Sequence, residues 1–375
     1  MLPDDILIKI FDFHVDEDID KYFKIQRSLK WMTLVHVCRR WRIVVFQSPR
    51  RLNLRLICTP ETPLRDTLDI LPPLPLDIRD IYQSYTSVDN TISFLELNDR
   101  VRQIIFSCSE QRMEYIMDSM ALYKPFPELT HLSITTFHCR EPILPNSFLA
   151  GTAPRLRSLE LSIPFPGLPK LLLSATRLVT LDLHFYSPTG YIPLDVMTTS
   201  LSALTSLKFL RIYLPSPQFS LERHPPPLTP SILPTLTIML FGGDSGYLEE
   251  FLAWIDAPQL NVMLITFDNE FISDTPQLLQ FISRRPTIRA PKVDHIGFGY
   301  GPGATPSATL VKFPSQTSDL GLLMQIPCAT TELELSSIEE VVTSSLPPIS
   351  MLKKFFIRQH LYSRLQYLDN IEKML

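Results

Sequence analysis

The chain has 375 residues, 45 % hydrophobic and 20 % charged, with a formal net charge of −4 and a pI near 6.1. That length suits one long repeat domain or two or three ordinary ones, and the apolar content excludes an intrinsically disordered chain. No basic excess points to nucleic acid as partner, and no apolar run reaches the roughly 18 residues of a membrane-spanning helix.

The five cysteines (Cys38, Cys58, Cys108, Cys139, Cys328) are scattered and form no CxxC pair, which suits a reducing compartment. The first five residues, Met-Leu-Pro-Asp-Asp, are acidic where a signal peptide is basic. The expectation is an intracellular chain, cytoplasmic or nuclear.

Pro3 stands at a first-turn position where it costs no hydrogen bond, and Asp4 and Asp5 favour the positive end of the helix dipole. Ile6, Leu7, Ile10 and Phe11 follow at helical spacing. Asp16-Glu17-Asp18 opens a polar connection. Leu34, Val37, Cys38, Trp41 and Val45 then recur on one face of a predicted second helix, which stops at Ser48-Pro49. The arginines of this stretch (Arg39, Arg40, Arg42, Arg50, Arg51, Arg55) read as a solvated helix face.

Beyond residue 60 the pattern changes to apolar-x-x-apolar-x-apolar. Copies begin at Val101, Leu129, Leu156, Leu178, Leu207, Leu236 and Leu260, with steps of 28, 27, 22, 29, 29 and 24 residues between those positions. A leucine-rich repeat has a period of 20–29 residues around a Leu-x-x-Leu-x-Leu strand. Looser copies run from Val293 to Phe298, Thr330 to Leu335 and Leu352 to Ile357. Helical spacing between strands follows Ser109, and recurs in Tyr247–Leu252 and Thr275–Phe281. The fold class expected is α/β: a helical N-terminal module over 1–55, a linker and first irregular repeat over 56–100, and a curved leucine-rich-repeat-like solenoid of alternating strands and helices over 101–375. The 34 prolines, about twice the usual share, cluster between Leu214 and Pro234 and read as stiff inter-repeat loops.

No phosphate loop, H-E-x-x-H or G-x-S-x-G motif is present. The Gly-x-Gly alternation of Gly297, Gly299, Gly301 and Gly303 is read as a loop leaving a strand, because Pro302 and Pro306 prevent a following helix. His131, His138 and Cys139 lack a fourth ligand at metal-site spacing. An enzyme, a cofactor and a metal are therefore not expected. Strand alternation turns the residues between the leucines outward. Ser133, Glu160, Asp182 and Arg211, with Glu334 far along, form the middle outward line, and Thr180, His184, Phe209 and Tyr213 flank it; Glu160, Asp182, Arg211 and Tyr213 are the candidate docking residues.

Leu-Pro-Asp-Asp-Ile-Leu at the start and Leu-Val-His-Val-Cys-Arg-Arg-Trp-Arg before Ser-Pro together resemble an F-box. With Pro127–Leu132, Ala153–Leu159 and Leu171–Thr176, the chain resembles basidiomycete-type F-box proteins with degenerate leucine-rich repeats. One departure is the long stretch between Phe11 and Leu34, which a loop inserted around residues 14–28 would accommodate. The resemblance implies a substrate-recognition subunit of a Skp–cullin–F-box ubiquitin ligase. Leu2, Pro3, Ile6, Leu7, Ile10, Val37, Cys38 and Trp41 match the positions that fill the groove of a Skp-type adaptor or the module's own core. The adaptor would bring a cullin–RING ligase, and the repeats an unknown protein client. The alternative is an interaction scaffold acting outside ubiquitylation. Relatives of this kind run on past Asn370-Ile371, so the chain is expected to lack its last repeats.

Overall fold

The computed structural model describes residues 2–16, 30–49, 52, 54–62, 73–81, 87–136, 142–185, 190–214, 229–267, 276–284, 295–299, 308–313, 322–327 and 355–357. Helix α1 (Asp4–Asp16) starts behind Pro3, whose carbonyl accepts from the Leu7 N–H at 3.1 Å. Leu7 and Phe11, one turn apart, are buried.

The expected second helix is two helices. Helix α2 (Lys30–Val37) ends, Cys38 adopts an extended backbone (φ −159°, ψ 167°), and α3 (Arg39–Gln47) begins. Hydrogen bonds at the joint fix the break. Arg42 Nε donates to the Val35 carbonyl at 2.9 Å, satisfying one acceptor left open at the end of α2. The Arg42 N–H donates to the Cys38 carbonyl at 3.1 Å and opens α3. The buried stripe is consequently Trp31, Leu34, Val35, Val44 and Val45, while Val37 and Cys38 face solvent. Trp31 Nε1 donates to the Arg55 carbonyl at 3.2 Å, which ties the helices to the strand that follows.

The chain divides into two compact units, Met1–Ser158 and Leu159–Leu375. This division falls among the strand repeats, and the helices of residues 1–55 remain in the first unit with the strands they adjoin. That unit carries strands β1 (Leu56–Cys58), β2 (Leu76–Ile81), β3 (Val101–Cys108) and β4 (His131–Thr136), paired in sequence order and all parallel. Helix α4 (Asp89–Leu95) separates β2 from β3, and α5 (Glu110–Asp118) follows β3. The predicted apolar stripe of α5 is buried at Met113 and Ile116 but ends there; Met120 is exposed in a left-handed conformation (φ 60°).

In the second unit the sheet order is β5 (Ser158–Leu161), β6 (Thr180–His184), β7 (Phe209–Tyr213), β9 (Ile238–Gly243), β11 (Val262–Phe267), β14 (Leu322–Pro327), β13 (Ala308–Phe313), β12 (His295–Gly299) and β15 (Phe355–Ile357). Pairing from β6 to β11 and on to β14 is parallel, whereas β13 runs antiparallel to both neighbours. A small second sheet pairs β8 (Ser231–Ile232) with β10 (Ile255–Asp256). Helices α6 (Leu168–Ser174), α7 (Leu194–Ser202), α8 (Ser245–Trp254) and α9 (Pro276–Ser283) lie between strands in sequence. The fold is α/β, as expected, and its sheet is mostly parallel. The looser copies depart from the expected order: β12 and β15 fall within two of them, Thr330–Leu335 lies outside the described residues, and the β12–β13–β14 stretch is a meander. Antiparallel neighbours need only short connections, which is what the few residues between these strands provide. Gly297 and Gly299 sit inside β12 rather than in a loop.

A common turn precedes the regular strands. The N–H of the first apolar residue donates three residues back in Leu129→Phe126, Leu156→Ala153, Leu178→Ala175, Leu207→Leu204, Leu236→Leu233 and Leu260→Ala257, at 2.9–3.4 Å. The next N–H then reaches the previous repeat, as in Thr130→Arg102, Arg157→Thr130, Lys208→Val179, Thr237→Lys208 and Asn261→Thr237, at 2.8–2.9 Å. The helices after β2 have 7 to 10 residues, too short to hold alone, so they owe their stability to packing. Neighbouring elements also join directly: Glu249 of α8 accepts from the Gln277 and Leu278 N–H groups at 2.8 and 2.9 Å, closing the open start of α9.

Candidate functional site

Two surfaces carry the candidate site residues singled out above, and a third joins them. The first is one end of the helical module. Arg40, in the first turn of α3, donates to Asp4 Oδ1 from Nη2 at 2.6 Å and from Nε at 3.1 Å, and also to the Leu2 carbonyl. This clamp holds Leu2 and Pro3 beside the joint where Val37 and Cys38 emerge. Leu2 is 51 % exposed, Ile10 47 % and Val37 58 %, and Pro3 and Cys38 are also exposed. Leu7 is buried, Ile6 is partly buried, and Trp41 is partly buried against Phe11 with ring centroids 4.8 Å apart. The motif positions therefore sort into an inward set (Leu7, with Trp41 on Phe11) and an outward set (Leu2, Pro3, Ile10, Val37, Cys38). Phe13 and Ile43 add exposed apolar surface at 72 % and 45 %.

The second surface is the non-helix face of the second unit's sheet. Phe241 stacks on Tyr247 of α8 at 6.3 Å, so Met239 and Phe241 face that helix and the alternate residues face away. On the away face, register places Thr180, Phe209, Ile238 and Val262 in one row. Asp182, Arg211, Leu240 and Leu264 form the next, and His184, Tyr213, Gly242 and Thr266 the third. Asp182 is buried, and its Oδ2 accepts from Arg211 Nη1 at 2.6 Å. Burial pushes the Asp182 carboxyl up to about 7, with Glu160 adding to the rise and Arg211 opposing it. Arg211 also lies 5.7 Å over the Phe209 ring. Asp182 and Arg211 are thus engaged with each other through Oδ2, while Asp182 Oδ1 is buried with no hydrogen-bond partner among the described residues, and Glu160 and Tyr213 are both partly buried. Tyr213 packs on His184 at 4.5 Å and leans over Gly242, where an added Cβ would lie 2.2 Å from Tyr213 Cδ2. Further along, Phe209, Ile238, Leu240 and Val262 form a buried apolar cluster with Leu264 packed on it. These strands are apolar on both sides, as in sheets covered on both faces.

The third surface, in the first unit, was not anticipated. Asp77, Gln103 and His131 are register partners across β2, β3 and β4. Asp77 is buried and accepts from Arg55 Nη1 at 3.1 Å. Burial raises its carboxyl above the usual range, against the pull of Arg55, Arg79 and Arg102. His131 lies 2.9 Å from Thr130 Oγ1 and 3.4 Å from Gln103 Nε2. Its proton affinity is lowered by partial desolvation and then by Arg55, Arg102 and Arg157. Of the arginines expected on a solvated helix face, Arg39 and Arg42 are exposed, while Arg40 holds Asp4, Arg42 holds the Val35 carbonyl and Arg55 holds Asp77. Arg50 and Arg51 lie outside the described residues. The signal for this surface was the alternation Leu74, Leu76, Ile78, which marks β2 as a strand and turns Asp77 and Arg79 to one side.

No family model matches the chain, and no curated protein matches it. Among the described residues no group of three or more His, Cys, Asp or Glu is placed to hold a metal ion, and His138 and Cys139 lie outside them. No helix among the described residues is long and apolar enough to cross a membrane.

Proposed function

We propose that this chain is a substrate receptor of a Skp–cullin–F-box ubiquitin ligase, with helices α1–α3 as the F-box and the strand repeats as a leucine-rich-repeat-like client-binding solenoid. The observation that carries the reading is the outward set on the helical module. A module of this size already buries Leu7, Phe11, Trp31, Leu34, Val44 and Val45 as a core of its own. Yet it presents Leu2, Ile10, Phe13, Val37 and Ile43 to solvent, and large exposed apolar side chains that join into one patch mark an interaction surface. The strand order supports the second half. Strands from β1 to β4, and again from β5 to β11, add on one side in sequence order, without the reversal that makes a doubly wound sheet. In this reading the chain makes no bond itself and acts by holding a client near a charged ubiquitin carrier.

The test is co-purification of the full chain with a Skp-type adaptor and cullin, followed by titration of variants. Leu2→Ala with Pro3→Ala, and separately Ile10→Asp with Val37→Asp, are expected to weaken adaptor binding at least tenfold, about 1.4 kcal/mol, with an unchanged melting profile. Failure of the folded wild-type chain to bind the adaptor overturns the proposal. Adaptor binding with no client whose half-life lengthens on deletion favours the scaffold alternative.

A further inference from the structure

Four arginines of the first unit, Arg55, Arg79, Arg102 and Arg157, gather along the row Asp77, Gln103 and His131. Three of them act on Asp77, and the charges acting on His131 are all cationic. Arg55 is engaged with Asp77, whereas Arg79 Nε is buried with no hydrogen-bond partner among the described residues, and Arg157 is exposed. Arg157 is held beside β4 by its N–H, which donates to the Thr130 carbonyl at 2.8 Å. The cluster therefore runs from the residue preceding β1 to the segment beside β4.

Strands lie about 4.8 Å apart, so four such steps extend roughly 19 Å. One phosphate or carboxylate cannot bridge that distance, but an extended peptide of about six residues covers it. Guanidinium groups suit carboxylates because they offer paired donors in a planar fork. A nucleic-acid backbone fits less well: the chain is net acidic, and duplex binders neutralise about 6–10 phosphates where this row offers four cations around a carboxylate.

We propose that this row binds an acidic peptide segment of the protein client, laid across β1 to β4 with its carboxylates on Arg79, Arg102 and Arg157. The inference rests on the reading of the repeats as a client-binding surface and names the chemistry of the client.

The experiment is an anisotropy titration of the full chain with fluorescein-labelled hexaglutamate, hexaglutamine and a single-stranded oligonucleotide of equal charge. Hexaglutamate is expected to bind best, with affinity falling as salt rises from about 0.05 to 0.5 M. Arg79→Gln and Arg157→Gln are each expected to weaken it about tenfold. Arg155→Gln, two residues from Arg157 but already paired with Glu128, should change it by less than about twofold. Arg157→Gln removes an exposed side chain, so it decides the matter even if Arg79→Gln unfolds. Equal binding of hexaglutamine, tighter binding of the oligonucleotide, or indifference to Arg157→Gln overturns the inference. Adaptor affinity is read separately: its loss with peptide binding intact strikes the ligase reading alone, and the converse strikes only this one.

Discussion

Arg112 Nε of α5 lies 2.8 Å from Asp80 Oδ2 of β2, with both side chains almost fully withdrawn from solvent. Thr91 of α4 donates to the same oxygen at 3.4 Å, so one carboxylate joins a strand to the two helices that flank the next strand in sequence. Buried pairs of this kind contribute little net stability against an apolar replacement of both partners, but removing one partner strands the other. Arg112→Met is therefore expected to destabilise the chain by about 3 kcal/mol in urea unfolding. Asp80→Leu combined with Arg112→Met should recover most of that loss, and a double variant worse than the single would contradict the account.

Asp182 gives a pH signature of definite sign. Its carboxyl is raised to about 7 in the folded chain, against about 3.9 in an unfolded one, so the folded state binds the proton more tightly. Its contribution is fully present below about pH 3.9 and is lost as pH rises through 7. Asp182→Asn should abolish that loss. The stability difference between wild type and variant is expected to change by on the order of 2 kcal/mol between about pH 5 and pH 8, in favour of the variant at the higher pH. A pH-independent difference would show that the carboxyl does not titrate in this range.

Cysteine reactivity should divide sharply. Burial, with Asp77 and Asp80 adding, pushes the Cys58 and Cys108 thiols up to about 12, whereas Cys38 is exposed. At pH 8 the two buried thiols hold about one part in ten thousand as thiolate. Iodoacetamide labelling read by peptide mass spectrometry is expected to modify Cys38 in the native chain and Cys58 and Cys108 only after unfolding. Fast native alkylation of Cys58 would place it nearer solvent than described.

Gly242 tests the third row of the second unit's sheet. Its lack of a Cβ admits the Tyr213 ring, so Gly242→Ala should cost about 1–3 kcal/mol by overpacking. Adding Tyr213→Ala removes the clash. The double variant is expected to be more stable than the sum of the single costs implies, and strict additivity would argue that ring and glycine do not meet.

The strands from Val101 to Ile265 were legible because the leucine spacing repeats and each copy is read independently. The break at Cys38 was not, since residues 34–45 keep one helical phase in the sequence while a single extended residue resets it in space. Burial of Asp182 was hidden for a related reason: alternation assigns a side chain to a face but does not say whether that face meets water. The arginine row escaped notice because its members come from five separate segments, and only register brings Asp77, Gln103 and His131 into line. On the helical module, the motif positions came from the family resemblance, and exposure divided them into inward and outward sets.

The three-residue turns before the strands bear on how such a chain changes over time. Each turn, with the ladder bond that follows, re-establishes register at the start of a repeat, whatever preceded it. Spacings of 22 to 29 residues between strand starts are thereby absorbed on the connecting side, and the rows on the sheet stay aligned. Insertions and deletions can accumulate between strands without moving Arg79 away from Ile105 or Asp182 away from Arg211, their register partners. Point substitutions on the rows alter their own chemistry, length changes alter what surrounds them, and the two kinds of variation proceed independently.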